Sequence, residues 1–179
     1  RTDFDLKQHQ EFSGKKMQYF DPEINQSYIP YVIETSIGLD RLFLTVLANS
    51  LVQEDLSTDE KQDSRVVLKF HPAIAPVKAA ILPLTKKDGL PEKAREIMAK
   101  LKLDYNIQYD EKDSIGKRYR RQDAIGTPFC ITVDHQTLED NMVTIRHRDS
   151  MQQERVNISE LENIIGNLVS MTNLLKELV

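Results

Sequence analysis

Residues Tyr28 to Arg41 read Tyr-Ile-Pro-Tyr-Val-Ile-Glu-Thr-Ser-Ile-Gly-Leu-Asp-Arg, and their apolar pattern changes period midway. Tyr31-Val-Ile is aromatic and β-branched behind a proline, the signature of a buried strand. From Leu39 the apolar residues recur as Leu39, Leu42, Phe43, Val46 and Leu47, which is helical spacing. Between strand and helix sit Glu34, Ser36, Gly38 and Arg41: a carboxylate, a hydroxyl, a position without Cβ and a guanidinium. A helix N-terminus offers free N–H groups and partial positive charge, so the junction suits an anion. Arg41 adds a planar fork that clamps phosphate or stacks on a base. Glu34, at the end of a buried strand, needs a cation or several donors to stay ionised. The same residues also describe a plain strand–turn–helix in which Arg41 pairs with a nearby acid. Spacing alone leaves both readings open.

Working outward, Arg1 to Gly14 mixes charge with Phe4 and Phe12. Met17-Gln-Tyr-Phe20 and Tyr28 to Ile33 read as two strands joined by a turn from Asp21-Pro22 to Asn25. The helix from about Gly38 is expected to end near Gln53, and Glu54 to Ser64 is acidic and polar, a linker or exposed loop. The expected organisation is therefore residues 1–53, a linker over 54–64, and a second domain over 65–179.

In that second domain Arg65 to Phe70 and Val77 to Leu84 read as strands flanking the rigid His71-Pro to Ala75-Pro entry. Pro91 opens a helix with Ala94, Ile97, Met98 and Leu101 on one face. Tyr105 to Tyr109 is a strand, and Ser114 caps a helix to about Ala124, closed by Gly126-Thr-Pro. Strands Phe129 to Val133 and Met142 to Arg146 follow, separated by a polar turn over His135 to Asn141. After a short strand over Arg155 to Ile158, Ser159-Glu-Leu-Glu162 reads as a capping box for a final helix carrying Leu161, Ile164, Ile165, Leu168 and Leu175. Gly166 in that helix costs about 1 kcal/mol relative to alanine. The fold class that follows is α/β, a mixed β-sheet flanked by helices, preceded by a partial antiparallel segment.

At 179 residues, 40% apolar and 29% charged, the composition is that of a globular protein with a real core. No apolar run reaches membrane-spanning length and no signal-peptide pattern is present, which leads to the expectation of an intracellular protein without a membrane partner. The single cysteine, Cys130, sits inside an apolar run and reads as a packed thiol. His9, His71 and His135 are scattered without ligand spacing, so neither zinc nor another protein-held metal is expected. A net charge of −4 argues against nucleic-acid binding over the whole surface but leaves room for local patches. One patch is Lys117-Arg-Tyr-Arg-Arg121, where Lys117, Arg120 and Arg121 share a helix face. It reads either as a set of phosphate contacts or as a solvated face neutralised by Glu111, Asp113 and Asp123. The other patch is Arg146-His-Arg-Asp149 with Arg155: base-reading arginines at a sheet edge, or a salt-bridged strand end.

The run PYVIETSIGLDRLFLTVL resembles motif 3 of class II aminoacyl-tRNA synthetases, specifically the glycyl-tRNA synthetase family with its PYVIE-x-S-x-G-x-DR pattern. RTDFDL with His9, APVKAAILPL, SIGKRYRRQDAIGTPF and VTIRHRDSMQQERV resemble the same family in the right order, so the likeness covers essentially the whole chain. It implies a piece of the class II catalytic domain followed by an anticodon-binding domain. Because the chain starts with Arg1 rather than Met, inside a matching segment, a C-terminal fragment of a longer synthetase is expected, inactive alone.

The resemblance also implies roles. Glu34 holds the ammonium group of glycine and Ser36 crowds the pocket against larger side chains, within a glycine site of Arg1, Glu34, Thr35, Ser36, Ile37 and Gly38. Arg1 faces the glycine carboxylate. Gly38, Leu39, Asp40 and Arg41 close on ATP, with Arg41 and Glu34 as the catalytic pair. Mg²⁺ bridges phosphate oxygens. Thr35 departs from the proline common in the family, which loosens the turn. Lys117, Arg120, Arg121, Arg146, Arg148 and Arg155 become contacts to tRNA(Gly). The implied whole enzyme is a cytoplasmic homodimer that makes glycyl-adenylate and passes glycine to tRNA. The alternative is a non-catalytic RNA-binding module that reuses an anticodon-type domain.

Overall fold

The structure, a computed structural model, describes residues 2–58 and 62–177. In chain order the elements begin with helix α1 (Phe4–Ser13), strands β1 (Tyr19–Asp21) and β2 (Gln26–Tyr28), and helix α2 (Leu39–Ser50). Strands β3 (Leu51–Asp55), β4 (Ser64–Leu68) and β5 (Ala79–Pro83) follow, then α3 (Leu90–Leu101), β6 (Ile107–Tyr109) and α4 (Ile115–Ile125). The chain continues through β7 (Phe129–Val133), a short α5 (Thr137–Asp140), β8 (Met142–His147) and β9 (Gln153–Asn157). A 3₁₀ turn (Ile158–Glu160) leads into α6 (Leu161–Val169) and α7 (Met171–Glu177). By contacts these form two units, one ending at Leu42 and one beginning at Phe43. The expected boundary at residues 53 and 54 is thus displaced into α2.

In the first unit α1 is a helix that the sequence reading left without an element. It stops at Gly14, whose φ of 67° is the left-handed conformation glycine adopts without strain. β1 and β2 pair antiparallel, Tyr19 opposite Tyr28. The expected strand over Tyr31 to Ile33 does not form. Tyr31 is 72% and Ile33 95% exposed. A strand exists only where a neighbour meets its N–H and C=O groups, and no described strand lies beside this segment. β-branched composition supplies the propensity; the pairing has to come from elsewhere.

The second unit is built on a five-stranded mixed sheet in the order β6-β5-β7-β8-β9. β5 lies parallel to both β6 and β7, while β7–β8 and β8–β9 are antiparallel. All five residues of β5 and all five of β7 are buried, as expected of strands covered on both faces. On one face Ile81, Ile131, Val143 and Ile145 meet Ala94 and Ile97 of α3 and Leu161 and Ile165 of α6. On the other, Ala80, Leu82 and Cys130 meet Ile115 and Tyr119 of α4. Period-2 alternation on the sheet and the apolar faces of α3, α4 and α6 account for both layers. Burial pushes the Cys130 thiol up to about 12, so this cysteine is a packing group rather than a thiolate nucleophile.

The acidic stretch is not a simple linker. Glu54 and Asp55 close β3, which pairs antiparallel with β4 from Leu51 opposite Leu68 to Asp55 opposite Ser64. Residues 59–61 of the expected linker lie outside the described residues. The expected capping box is also replaced. The Asn157 side chain accepts from Ser159 N–H at 2.9 Å and opens a 3₁₀ turn before α6. Ser170, in an extended conformation, then divides the expected final helix into α6 and α7. Gly166 has a packing reason: a Cβ there would stand 2.8 Å from the Tyr105 hydroxyl.

Gly126 closes α4 at φ 83°, and a Cβ there would lie 2.6 Å from the Phe70 ring and 3.0 Å from the Leu68 carbonyl oxygen. Left-handed backbone costs an L-residue about 1–2 kcal/mol and overpacking costs about 1–3 kcal/mol more. Gly126→Ala is therefore expected to destabilise the second unit by about 2–5 kcal/mol. A lowered urea midpoint at unchanged m-value checks this.

Candidate functional site

Apart from Arg1, the residues that resemblance assigns to glycine and ATP lie together on one exposed segment. Glu34, Thr35, Ser36, Ile37 and Gly38 are all exposed, and α2 begins directly after them. Leu42 N–H donates to the Gly38 carbonyl at 2.9 Å, closing the first turn. Asp40 stands in that turn, where a carboxylate complements the helix dipole. The absent Gly38 Cβ would face the Arg41 side chain at 3.8 Å, ordinary contact distance. Arg1, the expected partner of the glycine carboxylate, lies outside the described residues.

In the second unit the structure separates the arginines by role. Asp123 on α4 is fully buried and accepts from Arg146 Nη1 at 2.8 Å and Nη2 at 3.1 Å, a two-pronged pair. Arg65 Nη1 donates to the same carboxylate at 2.9 Å and to the Arg148 carbonyl at 2.9 Å, while its Nε reaches Glu54 at 2.6 Å. The Arg146 guanidinium also lies over the Tyr119 ring, 4.8 Å from its centroid. Arg148 is 2% exposed and donates to the Gly126 and Phe70 carbonyls at 2.8 and 2.7 Å. This is a correction for Arg146 and Arg148. Of the two readings, base-reading arginines or a salt-bridged strand end, burial and internal pairing favour the second and withdraw both residues, expected as tRNA contacts, from the surface. A buried guanidinium must satisfy its donors internally, and here those donors tie α4, β4, β8 and the turn after β8 together.

The remaining expected contacts are at the surface but engaged. Arg120 pairs with Asp63 at 2.7 Å. Arg121 reaches Asp110 at 2.8 Å and Asp113 at 2.9 Å. Burial would raise the Asp110 carboxyl, yet the Lys112 amide and Arg121 outweigh it and hold it below the ordinary value. Arg155 reaches Asp134 at 2.8 Å and Asp140 at 3.0 Å. Lys117 differs from these. It is exposed and has no ion pair among the described residues.

Lys117 has company that sequence reading missed. β5, β6 and β7 are mutually parallel, so their carboxyl ends share one edge of the sheet. Lys86 and Lys87 follow β5, Lys112 follows β6, and Lys117 sits in the first turns of α4 behind β6. All four are exposed and without an ion pair among the described residues. Inside that edge the buried Arg118 donates to the Pro83 carbonyl at 2.6 Å and to the Leu84 carbonyl at 3.2 Å. It pins the end of β5 to α4. Scattered in sequence, the lysines form no run; only the parallel register of three strands collects them. No group of three or more His, Cys, Asp or Glu side chains among the described residues is placed to hold a metal ion.

Residues 78–168 match the family described as "Anticodon binding domain". The chain is 58% identical over 165 residues to the glycine–tRNA ligase of Clostridium acetobutylicum, covering 92% of this chain and 35% of that protein. It is 59% identical over 166 residues to that of Alkaliphilus oremlandii, covering 93% and 35%. It therefore spans about a third of the length of these curated relatives. Among solved structures, the prolyl-tRNA synthetase of Cryptosporidium parvum superposes with a TM-score of 0.51 at 25% identity, over 58% of this chain and 22% of that one. The RNA-binding domain of the threonyl-tRNA synthetase from Cryptosporidium parvum Iowa II gives 0.51 at 19% identity, over 56% and 25%, which shows the shared fold. With half of its length matched and the mixed sheet of the second unit agreeing, the chain belongs to the anticodon-binding domain family.

Proposed function

We propose that this chain is the part of a glycine–tRNA ligase that supplies motif 3 and holds the anticodon end of tRNA(Gly). The identity with glycine–tRNA ligases over nine-tenths of the chain carries the reading, because it spans both the Glu34-to-Arg41 turn and the second unit. The whole enzyme then joins glycine to ATP as glycyl-adenylate and transfers glycine to the tRNA 3′ end, acting as a cytoplasmic homodimer. In it Glu34 binds the glycine ammonium, Ser36 and Ile37 limit the pocket, Arg1 meets the carboxylate, and Gly38 to Arg41 bind ATP. Thr35 shapes the turn between them. Selectivity for glycine works by excluding larger side chains, since glycine offers no methylene to grip.

No group of three or more His, Cys, Asp or Glu side chains among the described residues is placed to hold Mg²⁺. It enters with ATP, on the phosphate oxygens. Exposed apolar groups in the first unit, such as Phe12 and Ile33, fit burial against further catalytic-domain structure. No helix here is long and apolar enough to cross a membrane. Glycine-dependent ATP–pyrophosphate exchange by the whole protein tests the catalytic half.

For the RNA half we propose that Lys86, Lys87, Lys112 and Lys117 carry the phosphate contacts, joined by Arg120, Arg121 and Arg155 where their acidic partners yield. Each phosphate neutralised adds about 0.7–0.9 to the slope of log affinity against log salt. Each lysine-to-alanine change is expected to flatten the slope by about that amount, with little change at Arg148, which serves the interior. Fluorescence binding of the chain to glycine-accepting tRNA across salt measures it. Salt-independent binding would overturn the assignment.

A further inference from the structure

The five-stranded sheet ends at β9, which has β8 on one side and no described strand on the other. Its ladder to β8 fixes which backbone groups face outward. Ile158 N–H donates to the Asn141 carbonyl at 3.0 Å, and His147 N–H donates to the Gln152 carbonyl at 2.9 Å. Both bonds fit the register that runs from Met142 opposite Asn157 to Arg146 opposite Gln153. Bonded and non-bonded pairs alternate in an antiparallel ladder, so Glu154 and Val156 bond to β8 while Gln153, Arg155 and Asn157 do not. The N–H and C=O groups of these last three point away from the sheet and have no backbone partner among the described residues.

Sheets usually blunt such an edge with a short strand, a proline, a bulge or a lysine. The opposite edge follows that rule, since β6 has only three residues. β9 has five, Gln-Glu-Arg-Val-Asn, without proline or lysine, and its register runs on without a bulge. Its one cation is drawn off the edge, because Arg155 turns onto Asp134 and Asp140.

The two faces beside this edge differ in chemistry. Val156 packs with Ile158 against the core that α3 and α6 cover. Where β9 ends, a cleft of about 510 Å³ opens on that side, with Ile97, Leu101, Ile158 and Leu161 among its walls. Alternation puts Gln153, Arg155 and Asn157 on the other face. There the Asp134 and Asp140 side chains stay 23% and 29% exposed. Glu154 stands exposed beside His147. Three carboxylates thus stand along the edge against one guanidinium. An RNA strand cannot extend a β-ladder, and this charge repels it. A second copy of β9 would bring the same carboxylates against themselves.

We propose that β9 accepts an antiparallel strand from a partner protein, matching its five residues, apolar toward Val156 and basic toward Asp134 and Asp140. The added main chain bonds to Gln153, Arg155 and Asn157, and an apolar residue opposite Ile158 reaches the cleft. Strand addition draws affinity from main-chain bonds and specificity from alternate side chains. β7 and β8 separate this edge from β5 and β6, whose carboxyl ends lead to the lysines, so the inference does not rest on the RNA reading.

The test titrates the isotope-labelled 179-residue chain with the end-blocked peptide Val-Lys-Val-Thr-Val-Lys and follows backbone amides by NMR. The largest shifts are expected at the Gln153, Arg155 and Asn157 amides. N-methylating the threonine amide, which faces the Arg155 carbonyl, should weaken binding about tenfold, near the upper worth of one hydrogen bond. Methylating the next valine amide, which points away, should cost little. Glutamate in place of both lysines should remove most of the binding. Gln153→Pro deletes an outward donor at the first residue of the strand, where proline is tolerated. It should weaken the peptide about tenfold at an unchanged melting temperature. No shift at the three amides, equal losses from both methylations, or equal binding of the glutamate peptide would overturn the proposal. So would shifts of the same amides on concentrating the chain alone, without response to the peptide, which would assign the edge to a second copy.

Discussion

Asp123→Asn is expected to remove about 3–5 kcal/mol from the unfolding free energy of the second unit, the usual cost of breaking a buried ion pair from one side. The carboxylate is fully buried and receives three guanidinium N–H bonds, two from Arg146 and one from Arg65. An amide of the same shape keeps one acceptor and turns an NH₂ group toward donors. Two guanidinium groups, each nearly inaccessible to water, are then left short of a counter-charge, although Glu54 still serves Arg65. Domains of this size have only about 5–15 kcal/mol to lose. The expected readout is a large fall in urea midpoint and melting temperature, with near-neutral behaviour for Asp149→Asn, whose carboxylate is half exposed. A midpoint within error of wild type would mean that the network contributes nothing net.

Arg41→Ala, made in the whole synthetase that we propose contains this chain, is expected to slow glycyl-adenylate formation by about 10²–10³-fold. Activation is attack of a carboxylate on the α-phosphate of ATP, where catalysis consists mainly of positioning and charge stabilisation. A guanidinium at the start of α2 can place two donors on the nucleotide beside free N–H groups of the helix. Lysine at this position keeps charge without the planar fork and should restore little. Pyrophosphate exchange and single-turnover adenylate formation separate the chemical step from tRNA binding, which should not change. Unaltered exchange would remove the motif 3 assignment from Arg41.

The second unit's elements were legible because local pattern and tertiary demand agree there. Ala79 to Pro83 and Phe129 to Val133 are continuous apolar runs, and both strands are buried on two faces. Pro91 at the start of α3 and Gly126 at the end of α4 act where their conformational limits place them. The resemblance around Glu34 to Arg41 was legible for another reason: it is carried by consecutive residues.

Tertiary structure alone decided what depends on partners distant in sequence. Tyr31 to Ile33 has the composition of a strand but no described strand beside it, so it does not form one. Glu54 and Asp55 look like linker residues, yet β4 supplies their ladder, and Arg65 and Lys69 supply the counter-charge of Glu54. Lys117-Arg-Tyr-Arg-Arg121 is one basic run in sequence, but the helix turns Arg118 into the interior, commits Arg120 and Arg121 to acids and leaves Lys117 outside. Sequence by itself determined the α/β class, because that rests on short-range periodicity. Which charges stay uncommitted at the surface was decided only by the fold, because burial and ion pairing depend on neighbours that the chain brings together across tens of residues.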